Sequence, residues 1–279
     1  MSVRKDVMQP LTGPREFVLV RHAESRGNVA NQAAHDRAAN QLDLEVRDAD
    51  MPLSDLGVRQ ARALGEHLHG LPAEQRPSRV FSSPYVRALD TAEAAAAGTD
   101  VPIEVDERLR ERELGLLDGM TASGIRHLHP DEAARREWLG KFYYRPPSGE
   151  SWCDVLQRVR QFLMQLSMAE LDGGCLWVFS HQAVILSFRV AFEGLSEKEV
   201  LDIDASTQLA NCSMTRYTRG TAGRWSLAAF DDTSGVSQLA PETHEQPTAQ
   251  RRSGEDDERR RGDGRDGGAA EGVAAAGAG

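Results

Sequence analysis

The sequence is poor in cysteine: Cys153, Cys175 and Cys212 are its only three thiols in 279 residues. They are too few and too widely spaced for a disulfide framework or a zinc site. Long apolar runs are missing as well, none approaching the ~20 residues that span a bilayer. Arg4 and Lys5 have no apolar segment behind them, so a secretory leader is not expected. Basic charge is outweighed, with 33 Lys and Arg against 43 Asp and Glu and a formal net charge of −10. That balance argues against nucleic acid or an anionic membrane as partner. Together these absences imply a soluble, reduced, cytoplasmic protein. What the chain does have is 40% apolar residues, enough to bury a sizeable core.

That apolar content is unevenly spread. From Asp231 onward large apolar residues nearly vanish, and residues 251–279 are mostly Arg, Asp, Glu, Gly and Ala. Such a segment buries too little apolar surface to offset the entropy of ordering it. Residues 231–279, with 11 acidic and 6 basic side chains, are therefore expected to form a disordered tail. Residues 1–13 show no pattern and are expected to be flexible, which leaves 14–230 as one folded domain. No internal repeat is visible.

Inside that domain strand-like and helix-like segments alternate. Residues 16–20 form a short apolar run that stops abruptly at polar residues, and 79–82, 103–105, 175–179, 212–217 and 225–230 read as further strands. Ser54 precedes Leu56, Ala61, Leu64, Leu68 and Leu71 at helical spacing, an N-cap followed by an amphipathic helix. Helices are also predicted over 85–97, with Gly98 as the stop, over 151–171 and over 182–192. The alternation implies an α/β fold, a three-layer sandwich with a mainly parallel central sheet flanked by helices. Ligands of such sheets bind beyond the carboxyl ends of the strands. The polar residues after Val20, Phe81 and Phe179 are thus where chemistry is expected.

Three motifs stand at those places: Arg21-His22-Ala23-Glu24-Ser25-Arg26-Gly27-Asn28, then Ser83-Pro84-Tyr85-Val86-Arg87-Ala88 with Thr91-Ala92, then Ser180-His181-Gln182. One His beside one Arg at a strand end is usually a structural pair. In this order, each at a strand terminus, the three motifs resemble the histidine phosphatase superfamily, the phosphoglycerate-mutase-like proteins. Weaker blocks agree: Pro52-Leu53-Ser54 with Gly57, Gln60 and Ala61, Leu109-Arg110-Glu111 with Gly115 and Gly119, Gly149-Glu150-Ser151, and Asn211-Cys212-Ser213. The resemblance runs from Phe17 to Phe230.

It implies a phosphoryl transfer through a phosphohistidine on His22. A phosphoryl group in transfer spreads charge over three equatorial oxygens, so positioning and electrostatics dominate its catalysis. Arg21 and Arg87 offer planar, permanently charged forks for those oxygens. His181, at a helix start that favours anions, would bind them too, helped by the backbone N–H of Gln182. Glu111 aligns with the family's proton donor, with Glu113 as its competitor. Asn28 is expected to contact the phosphate. Arg26 stands between that role and a solvated loop charge. No metal or other cofactor is implied, since these cations already supply positive charge. His35, His67, His69, His127, His129 and His244 lack metal spacing. Glu24 and Ser25 are read as bracing residues, and Ser82 and Ser83 lack the surrounding glycines of a hydrolase elbow.

The branch follows from departures. Cofactor-dependent mutases carry a Trp where this chain has Gly27, a Glu where it has Gln60, and a double Arg that the compact 141–147 segment lacks. These differences favour hydrolysis of a small phosphomonoester. Mutase-type transfer is the alternative, and a catalytically silent phospho-ligand binder the third reading. Two segments are candidates for substrate choice: residues 31–50 as a lid with a helical centre, and 138–145, where Lys141 and Arg145 would meet a second anionic group. The other use of both is surface packing or a homodimer contact.

Overall fold

The computed structural model describes residues 14–168, 173–220 and 223–239. The expectations for 1–13 and 240–279 lie outside them. Six strands form one sheet: β1 (Glu16–Arg21), β2 (Pro77–Ser82), β3 (Ile103–Val105), β4 (Cys175–Ser180), β5 (Met214–Arg219) and β6 (Trp225–Asp232). Their order across the sheet is β3-β2-β4-β1-β5-β6. β3, β2, β4 and β1 run parallel, while β5 is antiparallel to both β1 and β6. The expected mainly parallel sheet is what forms.

Among the described residues eight helices flank it: α1 (Arg26–Asp36), α2 (Asp55–Gly70), α3 (Val86–Ala96), α4 (Ala122–Leu128), α5 (Pro130–Leu139), α6 (Trp152–Met168), α7 (Gln182–Glu193) and α8 (Glu197–Ser206). Side chains alternate across a strand, and here that alternation divides the core in two. Phe17, Leu19, Leu176 and Val178 join Val155, Val159 and Phe162 of α6 and Phe188 and Phe192 of α7. Val18, Val20, Trp177 and Phe179 join Ala61, Leu64 and Leu68 of α2 and Ala92 and Ala95 of α3. β1 and β4 are buried at every position, as strands covered on both faces must be. No helix among the described residues is long and apolar enough to cross a membrane.

Several boundaries differ from the sequence reading. The helix expected at the centre of 31–50 begins earlier, at Arg26, because Ser25 and Asn28 form a capping box there. β5 starts at Met214 rather than 212, since Cys212 sits at φ 58°, outside any strand conformation. α6 is assigned to Met168, and the expected continuation to 171 lies outside the described residues. The folded chain also continues past 230. β6 reaches Asp232, Val236 is buried with Leu64 and Leu68, and Gln60 Nε2 donates to the Leu239 carbonyl at 3.0 Å. One core apolar residue and one buried amide suffice to hold these residues down, a signal too local for composition to show.

Candidate active site

Strand register brings the three motifs together. Arg21 pairs with Ser180 and Ser82 with Phe179, so β1, β2 and β4 end side by side. The ladder runs one residue further: His22 N–H donates to the Ser180 carbonyl and Ser83 N–H to the Phe179 carbonyl, each at 3.0 Å. His22, Ser83 and His181 therefore leave the sheet at one edge. The rings of His22 and His181 lie 5.1 Å apart, both buried.

The loop carrying His22 is fixed from four sides. Ala23 N–H donates to Thr91 Oγ1, whose hydroxyl donates in turn to the Arg87 carbonyl at 2.6 Å. Glu24 N–H donates to Gln60 Oε1 at 2.9 Å, and Asn211 Nδ2 donates to the His22 carbonyl at 2.9 Å. Glu24 accepts from Ser54 Oγ at 2.6 Å, the bracing role expected of it. Gly57 lets α2 approach: a Cβ there would lie 2.0 Å from the Glu24 carbonyl oxygen.

These contacts set the protonation of His22. Its Nδ1 lies 2.7 Å from the Ala23 carbonyl, which can only accept, so Nδ1 carries the hydrogen and Nε2 the lone pair. Burial, then Arg87 and Arg21, hold its pKa well below the usual imidazole value. The imidazole is accordingly neutral. His181 is depressed too, by burial and then by Arg87, His22, Arg158 and Arg21. Its Nε2 pairs with Ser83 Oγ at 2.8 Å, and its Nδ1 lies 4.0 Å from Glu111 Oε2. It is a neutral hydrogen-bonding group rather than a cation.

Both arginines are buried. Arg21 donates to the Leu209 carbonyl. Arg87 is held by the 31–50 segment: its Nη1 donates to the Asp48 carbonyl at 2.6 Å and its Nη2 to Asp48 Oδ2 at 3.1 Å. That segment does reach the site, as a lid would, but through a short 3₁₀ turn at Asp48–Asp50. Glu111 Oε1 accepts from Arg112 N–H at 2.7 Å. Glu113 accepts from the Tyr85 hydroxyl at 3.2 Å, and the Tyr85 ring in turn lies 5.4 Å from that of His181.

The remaining candidates divide. Asn28 is buried, but its Oδ1 is taken by Ser25 N–H and the Ser25 hydroxyl, leaving Nδ2 for a ligand. The Gln182 side chain is tied up between Leu209 N–H and Asp204. Only its backbone amide, in the first turn of α7 where N–H groups lack intrahelical acceptors, can face an anion. Arg26 is exposed at the start of α1 and the structure does not bring it into the cluster. Arg145 is exposed and paired with Asp154 at 2.8 Å, and Lys141 is buried against Asp204. Neither is the free surface cation that the sequence suggested. No group of three or more His, Cys, Asp or Glu that could hold a metal occurs among the described residues.

Sequence reasoning passed over Asp48, and it placed Ser83 in the second motif without giving it a role. Asp48 gave no signal, because its partner lies 39 residues away.

The family model of the histidine phosphatase superfamily (branch 1) matches residues 17–233. A glucosyl-3-phosphoglycerate phosphatase of Mycolicibacterium vanbaalenii is 34% identical over 190 residues, 65% of this chain and 75% of that protein. A 2,3-bisphosphoglycerate-dependent phosphoglycerate mutase of Gloeobacter violaceus is 29% identical over 67% of this chain and 80% of its own length. A 6-phosphofructo-2-kinase/fructose-2,6-bisphosphatase of Gallus gallus is 31% identical, but the match spans only 34% of that enzyme. Among solved structures, the native mycobacterial glucosyl-3-phosphoglycerate phosphatase superposes with a TM-score of 0.62 at 28% identity, over 78% of this chain and 99% of that one. The three strand-end motifs, the edge at which they meet and a match across most of the chain agree: this protein belongs to branch 1 of the histidine phosphatase superfamily.

Proposed function

We propose that this protein hydrolyses phosphomonoesters of small phosphorylated metabolites through a phosphohistidine on His22. The observation that carries the reading is a neutral imidazole, its Nδ1 pinned to a carbonyl, facing a second buried histidine and within the field of the buried Arg87 and Arg21. Nε2 attacks phosphorus and the bond to the ester oxygen breaks. Arg21, Arg87, His181, Asn28 Nδ2 and the first amides of α7 hold the equatorial oxygens. Glu111 gives its proton to the leaving oxygen, then takes one from the water that cleaves the N–P bond, which releases phosphate and restores His22.

Hydrolysis is favoured over transfer to a second hydroxy acid. Gly27 stands where mutases carry a Trp, and a Cβ there would already meet Met51 Cγ at 3.2 Å. Met51 fills the space that the larger ring would need. The same reading gives a small-molecule partner and a cytoplasmic setting, supported by the net charge of −10 and by three free cysteines.

Rapid-quench mixing with a ³²P-labelled aryl phosphate tests the reading. Acid-labile label on His22, lost in His22→Ala, with release of free phosphate is expected. Label recovered as an isomerised ester would establish the transferase instead, and no label with no turnover would leave a binding protein.

A further inference from the structure

One loop grips Arg21 at both ends. It runs from α8 to β5, and its Leu209, Asn211, Cys212 and Ser213 are buried. At the backbone end, Arg21 N–H donates to the Ser213 carbonyl and Cys212 N–H to the Arg21 carbonyl, each at 3.1 Å. Cys212 reaches that carbonyl from a φ of 58°, a conformation that persists only where its surroundings over-determine it. At the other end, Arg21 Nη1 donates to the Leu209 carbonyl. The aim of the guanidinium therefore depends on what fixes the Leu209–Ala210 peptide.

That peptide is fixed from the edge strand of the sheet. Its N–H, on Ala210, donates to Asp231 Oδ1 at 2.8 Å. The preceding N–H, on Leu209, donates to Gln182 Oε1 at 3.1 Å. Asp231 comes into reach through a bulge in β6. Met214 pairs with Asp232 and Arg216 with Ala229, so Phe230 and Asp231 both stand opposite Thr215. Asp231 takes φ 55° there, a left-handed conformation that Asp tolerates better than most residues. An extra residue of this kind re-aims side chains. Phe230 packs against the α7 side of the core, 4.2 Å from the Arg189 guanidinium carbon, and Asp231 turns to the loop. The neighbouring Asp232 is engaged locally, accepting from Ser234 N–H at 2.9 Å.

The resulting order is carboxylate, N–H, C=O, guanidinium. Resonance couples the two ends of a peptide group. An anion accepting from the N–H pushes electron density onto the carbonyl oxygen, which strengthens what that oxygen accepts, the more so in a buried site of low dielectric. Asp231 thus stands to Arg21 as a counter-ion acting through one peptide group. Composition alone made Asp231 the first residue of the tail.

We infer that Asp231 is a positioning residue for the reaction, holding the Arg21 guanidinium in place through the Leu209–Ala210 peptide. The inference rests on the hydrolase reading, in which Arg21 binds the phosphoryl oxygens.

The test measures binding of orthovanadate and inorganic phosphate by titration calorimetry, with kcat and KM for p-nitrophenyl phosphate. Asp231→Ala is expected to weaken both oxyanions and to lower kcat/KM about tenfold, the loss of one charge-assisted contact. Asp231→Asn keeps an acceptor oxygen without the charge and should lose about threefold. Asp232→Ala, next along the chain but bonded only within its own turn, should leave these constants unchanged. The deciding comparison is made in Arg21→Gln. There Asp231→Ala should weaken vanadate little further, whereas a residue that merely holds β6 would cost the same in both backgrounds. Equal losses in the two backgrounds, or oxyanion affinity unmoved in Asp231→Ala, would overturn the assignment while turnover by the wild type left the hydrolase reading intact. Should a thermal melt show Asp231→Ala unfolded at the assay temperature, Asp231→Asn decides by the same two readings. No turnover and no oxyanion binding in the wild type would fail the hydrolase reading itself, and the role of Asp231 with it.

Discussion

The contact between Asp48 and Arg87 sets up a competition that kinetics can measure. Arg87 is expected to hold the phosphoryl group, yet its guanidinium is bound by the Asp48 carboxylate and carbonyl. An incoming phosphate must share that cation or displace the carboxylate. The Arg87 side chain is 6% exposed and that of Asp48 39%, so the pair is neither a dry ion pair nor a surface one. Charge-assisted hydrogen bonds contribute ~1.5–3 kcal/mol when shielded and exposed pairs ~0–1 kcal/mol. A half-open pair therefore contributes about 1–2 kcal/mol, or roughly 5- to 30-fold in affinity. Asp48→Asn keeps the backbone carbonyl contact and the shape but removes the charge. It is expected to lower KM for p-nitrophenyl phosphate and the inhibition constant of inorganic phosphate by that factor at low ionic strength. Added salt should shrink the difference, because part of the pair is open to solvent. Unchanged phosphate affinity, or weaker affinity with a fall in kcat, would refute the competition and make Asp48 a residue that positions Arg87.

Three further expectations follow from the same geometry. Because His22 and His181 are depressed in the folded protein, the unfolded chain takes up protons first as pH falls through the ordinary value of 6.5. Stability should be level above that pH and decline below it, with a shallower decline in His22→Asn, read by urea denaturation from pH 8 to 5. Glu111→Gln should slow alkyl esters by ~10²–10⁴ and aryl phosphates far less, since an aryl leaving group needs little protonation; equal slowing in stopped assays would transfer the role to Glu113. Gly57→Ala, whose Cβ would press on the Glu24 carbonyl at 2.0 Å, should cost about 2–3 kcal/mol. That is about 5–10 °C in Tm by calorimetry for a domain of this size, with loss of activity as the His22 loop shifts.

The sequence by itself determined the sheet, the strand ends and the candidate site residues. Apolar runs such as the one at 175–179 are buried on both faces, so period and composition alone mark them. His22 and His181 were visible because each follows such a run directly, Arg87 because it opens the helix after one, and parallel strands in register end at one edge. Glu111 was legible by its motif, and its approach of 4.0 Å to His181 is a contact that only the folded chain makes. Tertiary structure alone decided the rest. Whether a cation is free depends on what faces it across the fold: Lys141 meets Asp204, Arg145 meets Asp154 and Arg87 meets Asp48. Arg112 lies 6.0 Å from the ring of Trp152, which another segment supplies. Local propensity acts over a few residues, whereas charge pairing and desolvation act between segments that only the folded chain brings into contact.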